Sequence, residues 1–201
     1  MLYPRLTEDG RPIAEEEMVG VREHLAAQHR ILFLSGAIRQ EDQFPDFLLA
    51  FDSLSHEPIK LIITSPGGDL DVAFLLYDTI KLIKSPVWTF GRYCASAAVL
   101  ILAAGEKRFL SPHAKVMLHL PSAQAYGDAR DLAIQHREME KYKNEMVDIL
   151  IACGVKKEPD DILRDIDRDF WLEPEEAIAY GLADKIVTQG DIEEWLKRDA
   201  A

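Results

Sequence analysis

Twice along this chain a short apolar run stops in a cluster of small residues and passes directly into a helical stretch. That repetition restricts the possible folds more than any other feature. In the first case Ile59-Lys60-Leu61-Ile62-Ile63-Thr64 ends in Ser65-Pro66-Gly67-Gly68. Asp69 can then cap a helix carrying Val72, Leu75, Leu76, Thr79, Ile80 and Ile83 along one side. In the second, Val87-Trp88-Thr89-Phe90 leads through the small-residue stretch 91–98 into an apolar helix from Ser96 to Ala104, closed by Gly105 where a C-cap favours glycine. Ile31-Leu32-Phe33-Leu34 reads as a further buried strand, entered from a helix over 22–29, and Val116-Met117-Leu118 as another. Residues 41–55 set Phe44, Phe47, Leu48, Phe51 and Leu54 at the spacing of an amphipathic helix. Strands and helices alternating over short connections predict an α/β fold, a mostly parallel sheet covered by helices. Sites in such sheets gather where strand carboxyl ends pass into helices, and both small-residue clusters fall there.

Residues 128–153 form one long helical pattern in which Leu132, Met139, Met146 and Cys153 recur every seven positions. A seven-residue repeat is what one helix presents to another. The face either covers the chain's own sheet or, because the preceding segment 121–127 is extended and polar, forms an arm that reaches another subunit. The formal net charge of −12 argues against a nucleic-acid partner, since phosphate binding needs clustered Lys and Arg. No apolar run approaches the roughly 18 residues of a membrane span, and the start of the chain lacks signal-peptide character. Those features predict a cytoplasmic protein. The two cysteines, Cys94 and Cys153, sit among apolar or small residues and read as reduced packing residues rather than a disulfide or zinc site.

Five positions can carry chemistry, and each has a bland explanation. Ser96 opens a helix, so it can be an N-cap or simply a small residue. It can equally be a nucleophile presented at a strand-to-helix turn, beside the positive end of a helix dipole. Gly67 and Gly68 suit a tight turn, but they also admit positive φ and leave N–H groups open to an extended peptide or an oxyanion. His119, at the end of an apolar strand, is either a core histidine or a general base. Asp169 lies in the alternating-charge run Arg164-Asp165-Ile166-Asp167-Arg168-Asp169, which by itself suggests a solvated surface. Drawn to a buried edge by Phe170-Trp171-Leu172, it could instead orient His119. Serine-mediated hydrolysis needs all of these groups together, and spacing along the chain does not show that they meet.

Five blocks, in order, resemble the Clp protease proteolytic subunit (ClpP) family of serine peptidases. They are Ser65-Pro66-Gly67-Gly68, then Ala95-Ser96 with Ala103-Ala104-Gly105, then Val116 to Pro121, then Arg164 to Asp169, and finally Glu175-Glu176-Ala177 with Tyr180 to Asp184. The resemblance covers 31–187 and implies a ClpP/crotonase-like fold with a protruding strand-helix handle at about 122–153, in a single peptidase domain over 22–201. It implies Ser96 as nucleophile, His119 as general base and Asp169 as its orienting acid. Gly68 and Ala97 would supply the oxyanion-hole N–H groups. Gly67, Gly68 and Leu120 would hold the substrate backbone as an added strand, and Arg168 would link neighbouring subunits. It further implies a homo-oligomer of two stacked seven-membered rings, polypeptide substrates, an AAA+ unfoldase ATPase as partner, and no metal or organic cofactor.

This chain departs from the family pattern at several points. Gly91 lies one position further from the serine than the family's glycine, with Arg92 and Tyr93 between. Ala97 stands where methionine is common. Asp69 adds negative charge beside the implied oxyanion hole. Residues 1–21 lack the family's usual opening, which bears on the ATPase partner. Two other functions fit parts of the pattern: a catalytically silent ring subunit, and an acyl-CoA enzyme of the crotonase group, which would explain neither Ser96 nor the ordered blocks.

Overall fold

A computed structural model describes residues 15–41 and 43–196. The elements in order are α1 (Glu15–His29), β1 (Ile31–Ser35), α2 (Phe44–Leu54), β2 (Ile59–Ser65), α3 (Leu70–Leu82), β3 (Val87–Ala95), α4 (Ala97–Ala104) and β4 (Lys107–Leu118). There follow α5 (Ala129–Ala152), α6 (Pro159–Asp165), β5 (Phe170–Leu172), α7 (Pro174–Tyr180), β6 (Lys185–Ile186) and α8 (Gln189–Leu196). The sheet runs β1-β2-β3-β4-β5, with β6 also paired to β4. Strands β1 to β4 are parallel, β6 is parallel to β4, and β5 is antiparallel to it. The mostly parallel sheet covered by helices is thus the architecture the alternating pattern predicts.

Helix α4 is the centre of the molecule. Every residue from Ala97 to Ala104 is buried, because its sequence has no polar face to turn toward water. Around it close Leu48 of α2, Ile59, Leu61 and Ile63 of β2, Leu76 of α3, Val116 and Leu118 of β4 and Leu150 of α5. Asp69 caps α3 as the sequence indicates, its carboxylate accepting from the Val72 N–H. A smaller cluster, Phe90, Phe109 and Trp195, fixes α8 to the opposite side of β3 and β4. Residues 1–14 lie outside the described residues, so the expected N-terminal segment at 1–21 is described only from Glu15.

Four expectations differ in extent. Helix α1 begins at Glu15 rather than 22. Strand β4 begins at Lys107 rather than 116. Its first half is polar, and its register against β3 jumps from Leu110 to Lys115, so that 111–114, including Pro112, leave the ladder. The apolar stripes of α2 and α3 are wider than the surface that covers them: Phe47, Leu54 and Leu75 remain exposed. Helix α5 packs on the body through Met146, Val147, Ile149 and Leu150, while its first two turns are exposed throughout. Its N-terminus is capped within the chain, where Asp128 and Asp131 form a reciprocal capping box.

Candidate active site

The strand order brings the sequence-predicted groups to one edge of the sheet. The carboxyl ends of β2, β3 and β4 are neighbours, and they deliver Gly67 and Gly68, Ser96, and His119 respectively. Strand β5 runs the other way, so its amino end arrives at the same edge. The ladder pairs Val116 with Leu172, Met117 with Trp171 and Leu118 with Phe170. One further step of that antiparallel register sets Asp169 opposite His119.

Ser96 adopts φ 55° and ψ −129°, a left-handed conformation that a side chain rarely tolerates. Its N–H donates to the Met117 carbonyl at 2.8 Å, and its carbonyl accepts from Val99 at 3.0 Å. These bonds hold the turn between β4 and the first turn of α4. The Ser96 hydroxyl makes no capping bond to the helix, which removes the N-cap explanation for a serine here. Instead Oγ lies 2.7 Å from His119 Nε2. The sheet therefore joins Ser96 and His119, which are far apart in the sequence.

Asp169 is exposed and has no hydrogen-bond or ion-pair partner among the described residues. The structure sets it beside His119 in backbone register but does not join the two side chains. The other aspartates of that run are committed elsewhere. Asp165 accepts from Lys157 Nζ at 2.6 Å and Tyr180 Oη at 3.0 Å. Burial pushes its pKa up, but these two bonds outweigh it and leave the group below the usual carboxylate range. Asp167 pairs with Arg168 at 3.3 Å, with the Arg168 side chain 89% exposed. Such an exposed pair contributes little and leaves Arg168 reaching outward from the site.

Gly67 and Gly68 have φ of +88° and +148°. A Cβ at Gly67 would stand 2.5 Å from the Ala95 carbonyl oxygen and 2.8 Å from both Ala97 N and Ser96 Cβ, so only glycine lets β2 pass against the serine turn. Gly68 forms a parallel bridge with Ile38. Ile38 N donates to the Gly67 carbonyl at 2.8 Å, and Asp69 N donates to the Ile38 carbonyl at 3.0 Å. Bridging in that pattern turns the N–H and C=O of Gly68 itself to the other side. Neither Gly68 N–H nor Ala97 N–H, the first of α4, has a hydrogen-bond partner among the described residues.

Bonds within the chain narrow two of the expected backbone contacts. Both polar groups of Gly67 are engaged within the chain, its N–H by Ser65 Oγ at 3.1 Å and its carbonyl by Ile38. Gly67 therefore shapes the site, and its N–H is not open to a peptide. Leu120 gives its N–H to the Ile166 carbonyl at 3.0 Å, so only its carbonyl is left for a partner. The sequence reading missed Ile38, which carries no periodic or compositional signal and acts only by bridging to Gly68. The spacing of Gly91 and Ser96 coincides with a bulge, since Ile63 pairs with Gly91 and Thr64 with Tyr93, leaving Arg92 out of the ladder and exposed. Cys94, buried behind the turn, is free, and burial raises its thiol pKa far above the ordinary value.

Among the described residues no group of three or more His, Cys, Asp or Glu could hold a metal ion, and no helix is long and apolar enough to cross a membrane. The sequence matches the family described as Clp protease over residues 14–190. It is 39% identical over 164 residues to the ATP-dependent Clp protease proteolytic subunit 3 of Rhizobium meliloti, covering 79% of this chain and 84% of the relative. It is 40% identical over 169 residues to the protein of the same name from Rhizobium johnstonii, covering 81% and 87%. Against the chloroplastic proteolytic subunit 4 of Arabidopsis thaliana the identity is 36% over 180 residues, 87% of this chain and 60% of the relative.

Proposed function

The chain belongs to the Clp protease family, and from that premise we propose that it is a serine endopeptidase subunit in which Ser96, His119 and Asp169 act as the triad. The observation that carries this reading is the 2.7 Å contact from Ser96 Oγ to His119 Nε2, made by a serine whose strained turn leaves its hydroxyl free of any capping role.

In the proposed mechanism His119 Nε2 takes the Ser96 proton as Oγ attacks a peptide carbonyl. The developing oxyanion is received by the N–H groups of Gly68 and Ala97, the latter at the positive end of α4. His119 then returns the proton to the leaving amine, and water hydrolyses the acyl-enzyme by the same steps. Asp169 stabilises the imidazolium once its carboxylate swings to His119 Nδ1, a rotation that its unpaired, exposed state permits. The substrate backbone pairs with Gly68 and with the carbonyl of Leu120. The chemistry requires no metal or organic cofactor.

Assembly belongs to the same proposal. Leu54 and Leu82 are 78% and 83% exposed, and Phe47 and Leu75 about half. So much uncovered apolar surface on helices favours burial against further copies. The handle, exposed over the first turns of α5, is the second such surface. We take the assembly to be a homo-oligomer of two stacked seven-membered rings that encloses the sites, in the cytoplasm. An AAA+ unfoldase feeding unfolded polypeptide fits the words "ATP-dependent" in the relatives' names. The test is hydrolysis of fluorogenic peptides by the purified particle and by Ser96→Ala, with particle size followed by gel filtration. Loss of hydrolysis by about a thousandfold or more at unchanged size is expected, and a fully active Ser96→Ala particle overturns the assignment.

A further inference from the structure

On the face of the sheet opposite the main core, a cleft of about 600 Å³ lies between α1 and the carboxyl ends of β1 and β2. Val21, Leu25 and Phe33 give it an apolar wall, and Ser35, Thr64, Arg22 and Arg92 supply its polar side chains. Two guanidiniums face this space and no carboxylate lines it. That is out of character for a chain whose acidic residues outnumber Lys and Arg by 35 to 23.

The sheet itself assembles these groups. Leu34 and Ile63 are buried in the main core, so strand alternation turns the next residues, Ser35 and Thr64, to the opposite face. The two are register partners in the parallel ladder, which sets their side chains next to each other. Arg92 arrives through the bulge in β3. Pairing jumps from Ile63–Gly91 to Thr64–Tyr93, and the residue left out of the ladder lines the cleft. Arg22 crosses from α1, with its guanidinium carbon 5.2 Å over the Phe33 ring centroid, close enough for a cation–π contact that steadies it. Arg92, Ser35 and Thr64 have no side-chain hydrogen-bond or ion-pair partner among the described residues.

A cleft with charge of one sign and apolar walls concentrates its field on an incoming ligand. Two guanidiniums and two hydroxyls are donors suited to an oxyanion, and arginine pairs with carboxylate in a two-pronged geometry. A small inorganic anion would leave the apolar wall and most of the volume unused, whereas a carboxylate carried on a peptide uses both. The cleft also backs the sheet edge that holds the candidate site, since Thr64 leads directly into Ser65–Gly68 and Arg92 precedes Ser96 on the same strand turn. We propose that this cleft is a second peptide-binding site, distinct from the oxyanion hole, in which Arg22 and Arg92 bind a peptide carboxylate, either an acidic side chain or a C-terminus. Only the choice of ligand rests on the peptidase reading: polypeptides are what such an enzyme gathers, and each cleavage creates a new C-terminal carboxylate.

The test measures binding of fluorescent peptides to the assembled Ser96→Ala particle, which does not consume them. Three peptides share one neutral sequence. The first adds glutamates and has an amidated C-terminus, the second has only a free C-terminus, and the third has no carboxylate. At least one of the first two is expected to bind about tenfold or more tighter than the third, and their ranking separates side chain from terminus. The advantage should shrink with added salt, yet survive inorganic phosphate at matched ionic strength. Arg22→Gln and Arg92→Gln should each weaken binding by about threefold to tenfold. Arg137→Gln, which removes an equal charge from an exposed position on α5, should leave it unchanged. Equal binding of the three peptides, full competition by phosphate, undiminished binding in the Arg22 and Arg92 variants, or an equal loss in Arg137→Gln overturns the proposal. So does a particle that falls apart in the Arg22 or Arg92 variants, because the guanidiniums would then be pairing with a neighbouring copy. Fluorophosphonate reaction of wild-type Ser96 tests the peptidase reading separately: an unreactive Ser96 with carboxylate binding intact removes that reading and leaves the site.

Discussion

Replacing Gly67 by alanine tests whether the close passage of β2 against the serine turn sets the geometry of the site. Two costs follow from the structure. The residue sits at φ +88°, which for an L-residue costs about 1–2 kcal/mol. On the 1 kcal/mol to 2–4 °C relation for chains of this size, that lowers Tm by roughly 2–8 °C. The second cost is steric. The new Cβ would lie 2.5 Å from the Ala95 oxygen and 2.8 Å from Ala97 N and Ser96 Cβ. Ordinary contact is about 3.5–4.0 Å, so the turn must retreat by about 1 Å. All three atoms in its way are backbone or the nucleophile's own Cβ, so no flexible side-chain end can absorb the shift. A misplacement of about 1 Å is worth about a hundredfold in rate, and loss of the Ala97 donor about a hundred- to a thousandfold. The assay is the second-order rate of Ser96 modification by a fluorophosphonate, read beside a thermal melt. Gly36→Ala is the control, because Gly36 has φ +89° with nothing within 4 Å of its would-be Cβ. It should show a comparable loss of Tm and an unchanged modification rate. Wild-type reactivity in Gly67→Ala, or an equal loss of reactivity in Gly36→Ala, would refute the reasoning.

Three further outcomes are expected. Ser96→Gly should be more stable than Ser96→Ala by about 1 kcal/mol in denaturant unfolding, because both lose the bond to His119 but only glycine relieves the positive φ; equal stabilities would show that the turn is not strained. Asp169→Asn should lower peptide hydrolysis by the assembled particle by about a hundred- to ten-thousandfold. Asp167→Asn, which breaks only an exposed pair with Arg168, should stay within about twofold; equal effects of the two would remove Asp169 from the triad. Asp191, hydrogen-bonded by Lys185 and Thr188, has its pKa lowered to about 2. Because the folded value is depressed, its contribution is complete above the unfolded value of about 4 and is lost as pH falls toward about 2. Emission from Trp195, packed on Phe90 and Phe109, should report loosening of α8 over that range, and Asp191→Asn should abolish the transition.

The fold was readable where one period ruled a segment. Strands β1 and β2 announce themselves as apolar runs, α3 as a stripe with an aspartate cap, and α4 as an unbroken apolar helix. Strand β4 was readable only at Val116–Leu118, because its earlier part carries Lys107, Arg108, Pro112 and His113 and gains strand form from pairing with β3 and β6. The three-residue β5 and two-residue β6 are too short for any period to show. The candidate site divides in the same way. Small residues at strand ends pointed to the sheet edge, but the Ser96–His119 contact depends on β3 and β4 being neighbours, a tertiary fact with no sequence period. Asp169 reaches the edge only because β5 pairs antiparallel to β4. That the Gly67 N–H and carbonyl are both engaged within the chain depends on Ser65 Oγ and Ile38, which no motif connects to it.

The central claim is that Ser96 is a nucleophile activated by His119, and the most direct measurement is covalent labelling of the purified particle by a fluorophosphonate with the modified residue mapped by mass spectrometry. The account predicts a single adduct on Ser96, lost in His119→Ala while the particle keeps its size. An adduct on another residue, or full labelling of Ser96 without His119, contradicts it.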